Sequence, residues 1–274
     1  MEQYSDEKRQ RMLYSINFDL VNHEDVVLDA NALNVALDSP IFRIYDYQRF
    51  LELLRDGRNV LVRPSCWEDP FENMLYNVQY YKQINGHRYS IDVSKVRDQW
   101  YGQCWTDRQE ECDGLWRVYS NNRQKRCVRV KSTVRKMFRP LYDFTQKGAV
   151  LRFFVGKVDY DEEIEIIKLL KTFAATFATD TTNLCQAKTL LTKRKEFSYE
   201  SEIRLLYNEI DSNNKSLFYS YAINPNIVCE EVMLDPWCEE KDFALCEEEI
   251  RNKGYNGNIL KSALYEPMEI EVNF

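Results

Sequence analysis

The chain has 274 residues, a net charge of -7, 44% hydrophobic and 14% aromatic residues, and only 8 Gly and 7 Pro; this excludes a disordered or fibrous chain and leaves ample material for a core. No stretch reaches the length of a membrane span, and the polar start lacks the apolar centre of a signal peptide, so a cytoplasmic location with no membrane partner is expected. Eight cysteines without a C-x-x-C pair and only two histidines, His23 and His87, argue against zinc, a Ser-His-Asp triad and a Cys-His nucleophile, and the expected metal set is none.

Residues 1–38 are polar and weakly patterned, an N-terminal arm or helical extension. Ile41–Tyr45 reads as a strand with Arg43 among apolar residues, and Tyr47, Phe50, Leu51 and Leu54 follow at helical spacing up to Gly57. Asn59–Val62 is a second strand. In the turn 65–73, Trp67 and Phe71 are anchors and Asp69 is placed to cap a helix over 70–81 with Pro70 at its first position. Asn85-Gly86 marks a hairpin or loop, and 91–100 reads as a helix. Strands are predicted over 101–106, 125–130, 150–158, 217–223, 228–234, 258–260 and 268–272. Helices are predicted over 113–120, from Ser132 to Phe138, and over 239–253 ending at Gly254. The region 161–191 is helical with a break near Thr179–Thr182, a helical insertion at about 160–192. Short strands with helices between them, out of regular β-α-β order, give an α+β class: a single domain over 39–274 with a central mixed or antiparallel split sheet flanked by helices. No Gly-rich dinucleotide fingerprint or phosphate loop is present.

The chemistry is concentrated in Lys193–Tyr207, where a basic cluster runs into Phe197 and Tyr199, then Glu200-x-Glu202-x-Arg204 and an apolar run. Read as a strand, it puts Glu200, Glu202 and Arg204 on one face and Ile203 and Leu205 on the other. Paired acids repel, so one can keep its proton near neutral pH and serve as a catalytic carboxylate; the alternative is a solvated edge-strand face neutralised by Arg204. Charge is uneven as well. Arg117–Arg139 holds nine Lys or Arg and no acid, while Glu230–Glu249 holds nine acids against Lys241. The basic block fits an anion site for nucleotide or nucleic-acid phosphates, or it pairs with the acidic segment inside the fold.

Four stretches together resemble a bacterial family, the domain of unknown function numbered 2971: Trp67-x-Asp69-Pro70-Phe71-Glu72, Cys104-Trp105-Thr106, Leu115-Trp116-x-x-Tyr119-Ser120 and Phe197-x-x-Glu200-x-Glu202-x-Arg204. A second resemblance is to the ADP-ribosyltransferase fold, carried by Arg43 on an early strand, the helix after it, the strand 101–106 and Glu200-x-Glu202 in that order. The middle Ser-Thr-Ser motif of that fold is absent, with Cys104-Trp105-Thr106 in its place. What this resemblance implies is NAD as substrate. Arg43, Tyr45, Trp105, Thr106 and Tyr119 would bind it, Glu202 would stabilise the oxocarbenium ion as nicotinamide leaves, and Glu200 would orient the acceptor. Arg43 is equally a structural arginine paired to Asp69 or Glu72.

The expectation is an NAD-dependent ADP-ribosyltransferase that modifies a macromolecule, RNA or DNA or protein, as a bacterial toxin or phage-defence effector with an antitoxin partner. Arg123, Lys125 and Arg126 would hold the acceptor. Two alternatives stand beside it: a non-enzymatic nucleic-acid binder stacking bases on Trp105, Trp116 and Tyr119, and a metal-dependent nuclease using Asp69, Glu72, Glu200 and Glu202.

Overall fold

The computed structural model describes residues 21–67, 72, 79–91, 98–146, 148–176, 182–209 and 214–266. Its strands in chain order are β1 (Ala32–Leu33), β2 (Pro40–Asp46), β3 (Arg58–Val62), β4 (Tyr80–Ile84), β5 (His87–Ile91), β6 (Trp100–Thr106), β7 (Cys127–Thr133), β8 (Phe153–Lys157), β9 (Asp159–Asp161), β10 (Thr192–Arg194), β11 (Glu202–Asn208), β12 (Phe218–Ala222), β13 (Glu231–Leu234) and β14 (Asn258–Lys261). The α-helices are α1 (Glu24–Ala30), α2 (Tyr47–Asp56), α3 (Asp113–Tyr119), α4 (Val134–Leu141), α5 (Glu163–Thr176), α6 (Leu184–Thr189), α7 (Pro225–Val228) and α8 (Glu240–Asn252).

These elements fall into two compact units interleaved along the chain. The first draws on the described parts of 1–39, 59–107 and 133–222, the second on those of 40–58, 108–132 and 223–274. In the first unit the strand order is β1-β8-β11-β6, with β3 joined to both β6 and β12. β1 runs parallel to β8, and β11 is antiparallel to both β8 and β6. Residues directly opposite in such a ladder share a face. Arg204 lies opposite Cys104 and Gly156, so Glu202, Arg204 and Leu206 share a face with Thr106, Cys104, Gly102, Gly156 and Phe154. Ile203, Leu205 and Tyr207 take the other face with Trp105, Gln103, Tyr101 and Phe153. Leu170 and Phe173 of α5 and Ala187 of α6 pack over the first face with Leu190, Leu191, Phe154, Leu206 and Trp100. On the second face Tyr142, one residue past α4, rests on Phe153 with ring centroids 5.0 Å apart.

Two glycines let the first face be covered closely. A Cβ on Gly102 would stand 2.6 Å from the Trp67 ring, and one on Gly156 would stand 2.3 Å from Leu191. On the second face Gln103 accepts from Asn59 (2.9 Å) and Trp105 (2.9 Å) and donates back to Asn59 (2.8 Å), a buried amide network whose groups satisfy one another.

The second unit is built on the order β2-β7-β13-β14. α2 starts where the Asp46 carboxylate accepts from the backbone of Gln48 and Arg49, and it ends at Gly57 in the left-handed region (φ 58°), as its sequence predicts. Trp116 of α3 is fully buried beside Ile44 and Cys127. α8 is tied to the rest of the unit by Arg126, which bonds Asp242 and the Cys246 sulfur, and by Tyr47, which donates to Glu249.

The expected α+β class, with a mixed sheet flanked by helices, is what forms. Several boundaries move for physical reasons. Thr133, rather than Ser132, caps α4, because the Ser132 hydroxyl donates to Val228 O at 2.5 Å and is not free to cap. The expected strand 150–158 begins as a 3-10 turn over Ala149–Leu151. The segment 1–38 contributes α1 and the edge strand β1, with 1–20 outside the described residues. Most of the helices expected at 70–81 and 91–100, and the whole strand expected at 268–272, also lie outside them; Tyr80 and Tyr81 belong to β4, and Trp100 opens β6. Asn85 (φ 51°) and Gly86 (φ 80°) make the tight hairpin that their residue types demand between β4 and β5.

Candidate active site

β11 is a central strand, paired on both sides and buried along its length, so the solvated edge-strand reading of Glu-x-Glu-x-Arg does not hold. Glu200 is not on it. It closes a 3-10 turn over Lys195–Glu200, and Ser201 (φ 47°) then turns the chain into the strand. The left-handed residue between the two acids breaks strand alternation, and the Ser201 hydroxyl secures it by donating to Asp107 at 2.6 Å. The two carboxyls nonetheless converge on Lys193, whose Nζ lies 2.6 Å from Glu200 and 3.8 Å from Glu202.

Around them is a buried ionic cluster in the first unit. The Arg204 guanidinium is fully enclosed. It donates from Nε (2.9 Å) and Nη2 (2.5 Å) to Glu202, from Nη2 to Glu72 (2.6 Å) and from Nη1 to Leu190 O (2.7 Å), with the Trp67 ring 4.5 Å away. Lys193 Nζ reaches Glu200 (2.6 Å), Glu72 (2.8 Å) and Glu202 (3.8 Å), and lies 4.6 Å from the Phe197 ring. Tyr160 receives the Glu202 backbone N–H at 2.8 Å, and Thr106 donates to Glu200 O at 2.6 Å.

The electrostatics follow from this geometry. Three carboxyls, Glu72, Glu200 and Glu202, face two cations, Lys193 and Arg204, leaving one excess negative charge when all are ionised. Burial opposes ionisation of Glu202, but Arg204 and Lys193 override it and hold its pKa below the usual range. Glu200 goes the other way. Burial and the Glu202 charge push its pKa up despite the bond to Lys193, and its side chain keeps 19% of its surface exposed. Glu200 is therefore the member of the pair that can hold a proton and meet a ligand, while Glu202 is a fixed anion.

The other candidates separate. Thr106 lies at the cluster, on the same face as Glu202. Trp105 lies on the opposite face and is buried against Gln103, so it is not part of the pocket of Glu202. Arg43, Tyr45, Tyr119, Arg123, Lys125 and Arg126 belong to the second unit. There the Arg43 guanidinium stacks on Tyr45 at 5.1 Å, Arg123 stacks on Trp237 at 4.7 Å, and Lys125 stands 3.8 Å from Asp46. Arg126 is spent on Asp242, as the pairing of basic block and acidic segment requires. Trp116 is buried with its N–H on Glu111, leaving Tyr119 as the exposed ring of the stacking trio. For a nuclease, Glu72, Glu200 and Glu202 do converge, but on Lys193 and Arg204, which fill the place a metal ion would take; Asp69 is outside the described residues. Glu72 as a partner of Arg204, and Trp67 as its cover, have no local signal, since Glu72 is 132 residues away from Arg204 in sequence.

No protein-family model and no curated protein matches the sequence, so the likeness to the family of domain 2971 is one of motifs. Among solved structures, Thermus sp. 2.9 DarT in complex with carba-NAD+ is similar at 11% identity over 83% of this chain and 97% of its own, with a TM-score of 0.36. The same protein in complex with NAD+ gives 10% identity, 84% and 98% coverage and a TM-score of 0.38; with ADP-ribosylated ssDNA it gives 9%, 84%, 96% and 0.38. Scores this low carry no argument about activity.

Proposed function

We propose that the chain is an NAD-consuming ADP-ribosyltransferase acting on a macromolecular acceptor, with nucleic acid as the acceptor class. The observation that supports this most is the carboxyl pair at the mouth of β11, Glu202 held as a fixed anion by Arg204 and Lys193, and Glu200 partly exposed with its pKa raised by burial, which strengthens it as a base when ionised. Departure of nicotinamide from NAD leaves a cationic sugar. A preorganised anion in a dry site lowers that barrier, because it needs no reorganisation as the charge develops. In this reading Glu202, steadied by Arg204, supplies the field, and Glu200 orients the acceptor and takes its proton as the new bond forms. Lys193 and Glu72 are positioning residues acting through these two. Thr106 remains a proposed NAD contact beside the pair; the NAD roles of Arg43, Tyr45 and Tyr119 and the acceptor roles of Arg123 and Lys125, all in the second unit, are proposed on the sequence reading alone. A toxin or phage-defence role with an antitoxin partner is proposed on the sequence resemblance alone.

The test is incubation of the full chain with labelled NAD and single-stranded DNA, RNA or protein extract, beside Glu200→Gln and Glu202→Gln. Transfer by the unmodified chain, reduced at least 100-fold in both variants while each stays folded, is expected. Absence of both transfer and NAD consumption overturns the reading. The second reading is a purely structural ion cluster, favoured by the saturation of Glu202 by Arg204 and Lys193; it requires both variants to lose stability and nothing else.

A further inference from the structure

The hairpin of β4 and β5 is anchored at one end and bare at the other. Tyr80, which opens it, is buried in the apolar cluster with Leu190, Leu191 and Leu206; Arg204 bonds the Leu190 carbonyl, so the hairpin is rooted in the layer that encloses the ionic cluster. From Gln83 to Ser90 every residue is exposed, and no third strand joins β4 and β5 among the described residues. The register puts Tyr81, Gln83, Arg88 and Ser90 on the face away from Tyr80. There the Arg88 guanidinium lies 3.6 Å over the Tyr81 ring, whose hydroxyl donates to Gln79 at 2.5 Å. On the face of Tyr80, Ile84 and Tyr89 stand beyond the core, 45% and 52% exposed.

Large rings left in water on a two-stranded ribbon are unfavourable unless a partner covers them. Charge decides which partner. The sequence 79–91 holds Lys82, His87 and Arg88 and no acid, in a chain of net charge -7, and Arg88 forms no ion pair among the described residues. Cations without acids repel a basic partner and a second copy of the same hairpin, and attract an anionic one. A guanidinium covers one face of a ring, and Tyr81 keeps 44% of its surface exposed, so its other face is open to stack a base. The free donors of Arg88 then suit the neighbouring phosphate. A single strand offers both groups, whereas a duplex hides its base faces.

We propose that the β4–β5 hairpin holds a single-stranded nucleic acid, Tyr81 stacking a base and Arg88 holding a phosphate. That the strand is the acceptor rests on the transferase reading; its binding does not.

The experiment is fluorescence anisotropy of a labelled oligothymidylate titrated with the full chain in the absence of NAD. It is repeated with the same strand paired to its complement, with inorganic polyphosphate as competitor, and on Tyr81→Ala, Tyr81→Phe and Arg88→Gln. Saturable binding of the single strand, weakened at least about fivefold in Tyr81→Ala and Arg88→Gln and largely kept in Tyr81→Phe, is expected. Because both side chains are exposed, the variants should melt with the unmodified chain, and Tyr81→Ala should consume NAD without a strand at the unmodified rate. No saturable binding, equal binding by Tyr81→Ala, or a duplex or polyphosphate bound as tightly as the strand overturns the proposal. So does self-association of the chain that Tyr81→Ala abolishes, which would assign the hairpin to a second copy. A chain that consumes NAD but binds no strand fails here alone; one that binds the strand but consumes no NAD fails only the transferase reading.

Discussion

Glu200 and Glu202 respond to pH with opposite sign. The folded pKa of Glu202 is lowered, so its contribution to stability is present above the unfolded value and is lost as pH falls through the folded one. The folded pKa of Glu200 is raised, so folding favours its protonated form and stability drains as pH rises through that value. Glu200→Gln removes the second effect and leaves in place Arg204 and Lys193, the main causes that lower Glu202. Its melting temperature relative to the unmodified chain should climb between about pH 4 and pH 8, and thermal unfolding across that range checks it; a difference independent of pH rejects the assignment. Arg204 gives the companion case. Arg204→Met strands Glu72 and Glu202 in the interior and should cost about 3–5 kcal/mol in urea unfolding, whereas adding Glu202→Leu to it should restore most of the loss. Sequence showed part of this. The spacing of Glu200, Glu202 and Arg204 disclosed a paired-acid site, and the nuclease alternative set Glu72 with the pair, but not that a left-handed serine sits inside it, nor that Lys193 and Arg204 are what hold the three acids together. Those partners are chosen by tertiary proximity, which leaves no periodic trace.

Among the elements, β6 and β11 set the site through register. Placing Gly102 and Gly156 on the strands beside β11 gives Trp67 and Leu191 room to lie flat on the face that carries Arg204 and Leu206. Gly102→Ala should push Trp67 off Arg204 and cost about 1–3 kcal/mol, with much of the penalty removed in the double variant with Trp67→Ala. Trp67 fluorescence and unfolding of the four chains measure that coupling; additive losses would show that the ring and the glycine do not meet. Strands were the legible part of the fold, since β-branched and aromatic runs mark β2, β6 and β11 without outside information. The face each residue takes was legible only up to an ambiguity of sense. Trp105 is one position from Thr106, and that single step carries it away from the acids to the amide network of Asn59 and Gln103.

For the molecule as a whole, the basic block is neutralised at home. Arg117 bonds Asp113, Arg126 bonds Asp242, Arg135 bonds Asp38, and Arg139 bonds Glu24. Nine free cations would give single-strand binding a salt slope of about -6, at roughly 0.7 per phosphate. With these four engaged at most five remain, so the slope measured over a range of salt concentrations should be no steeper than about -3.5, and a steeper one would mean that the acids release their partners on binding. Among the described residues no helix is long and apolar enough to cross a membrane. The interleaving of the two units also bears on how the chain is made. β3 waits for β12, whose last residue, Ala222, comes 160 positions after Val62, and β13 pairs with β14 only once Lys261 exists. A ribosome therefore releases a nascent chain that holds both units open for most of its synthesis, and no stop codon placed inside it yields a finished half.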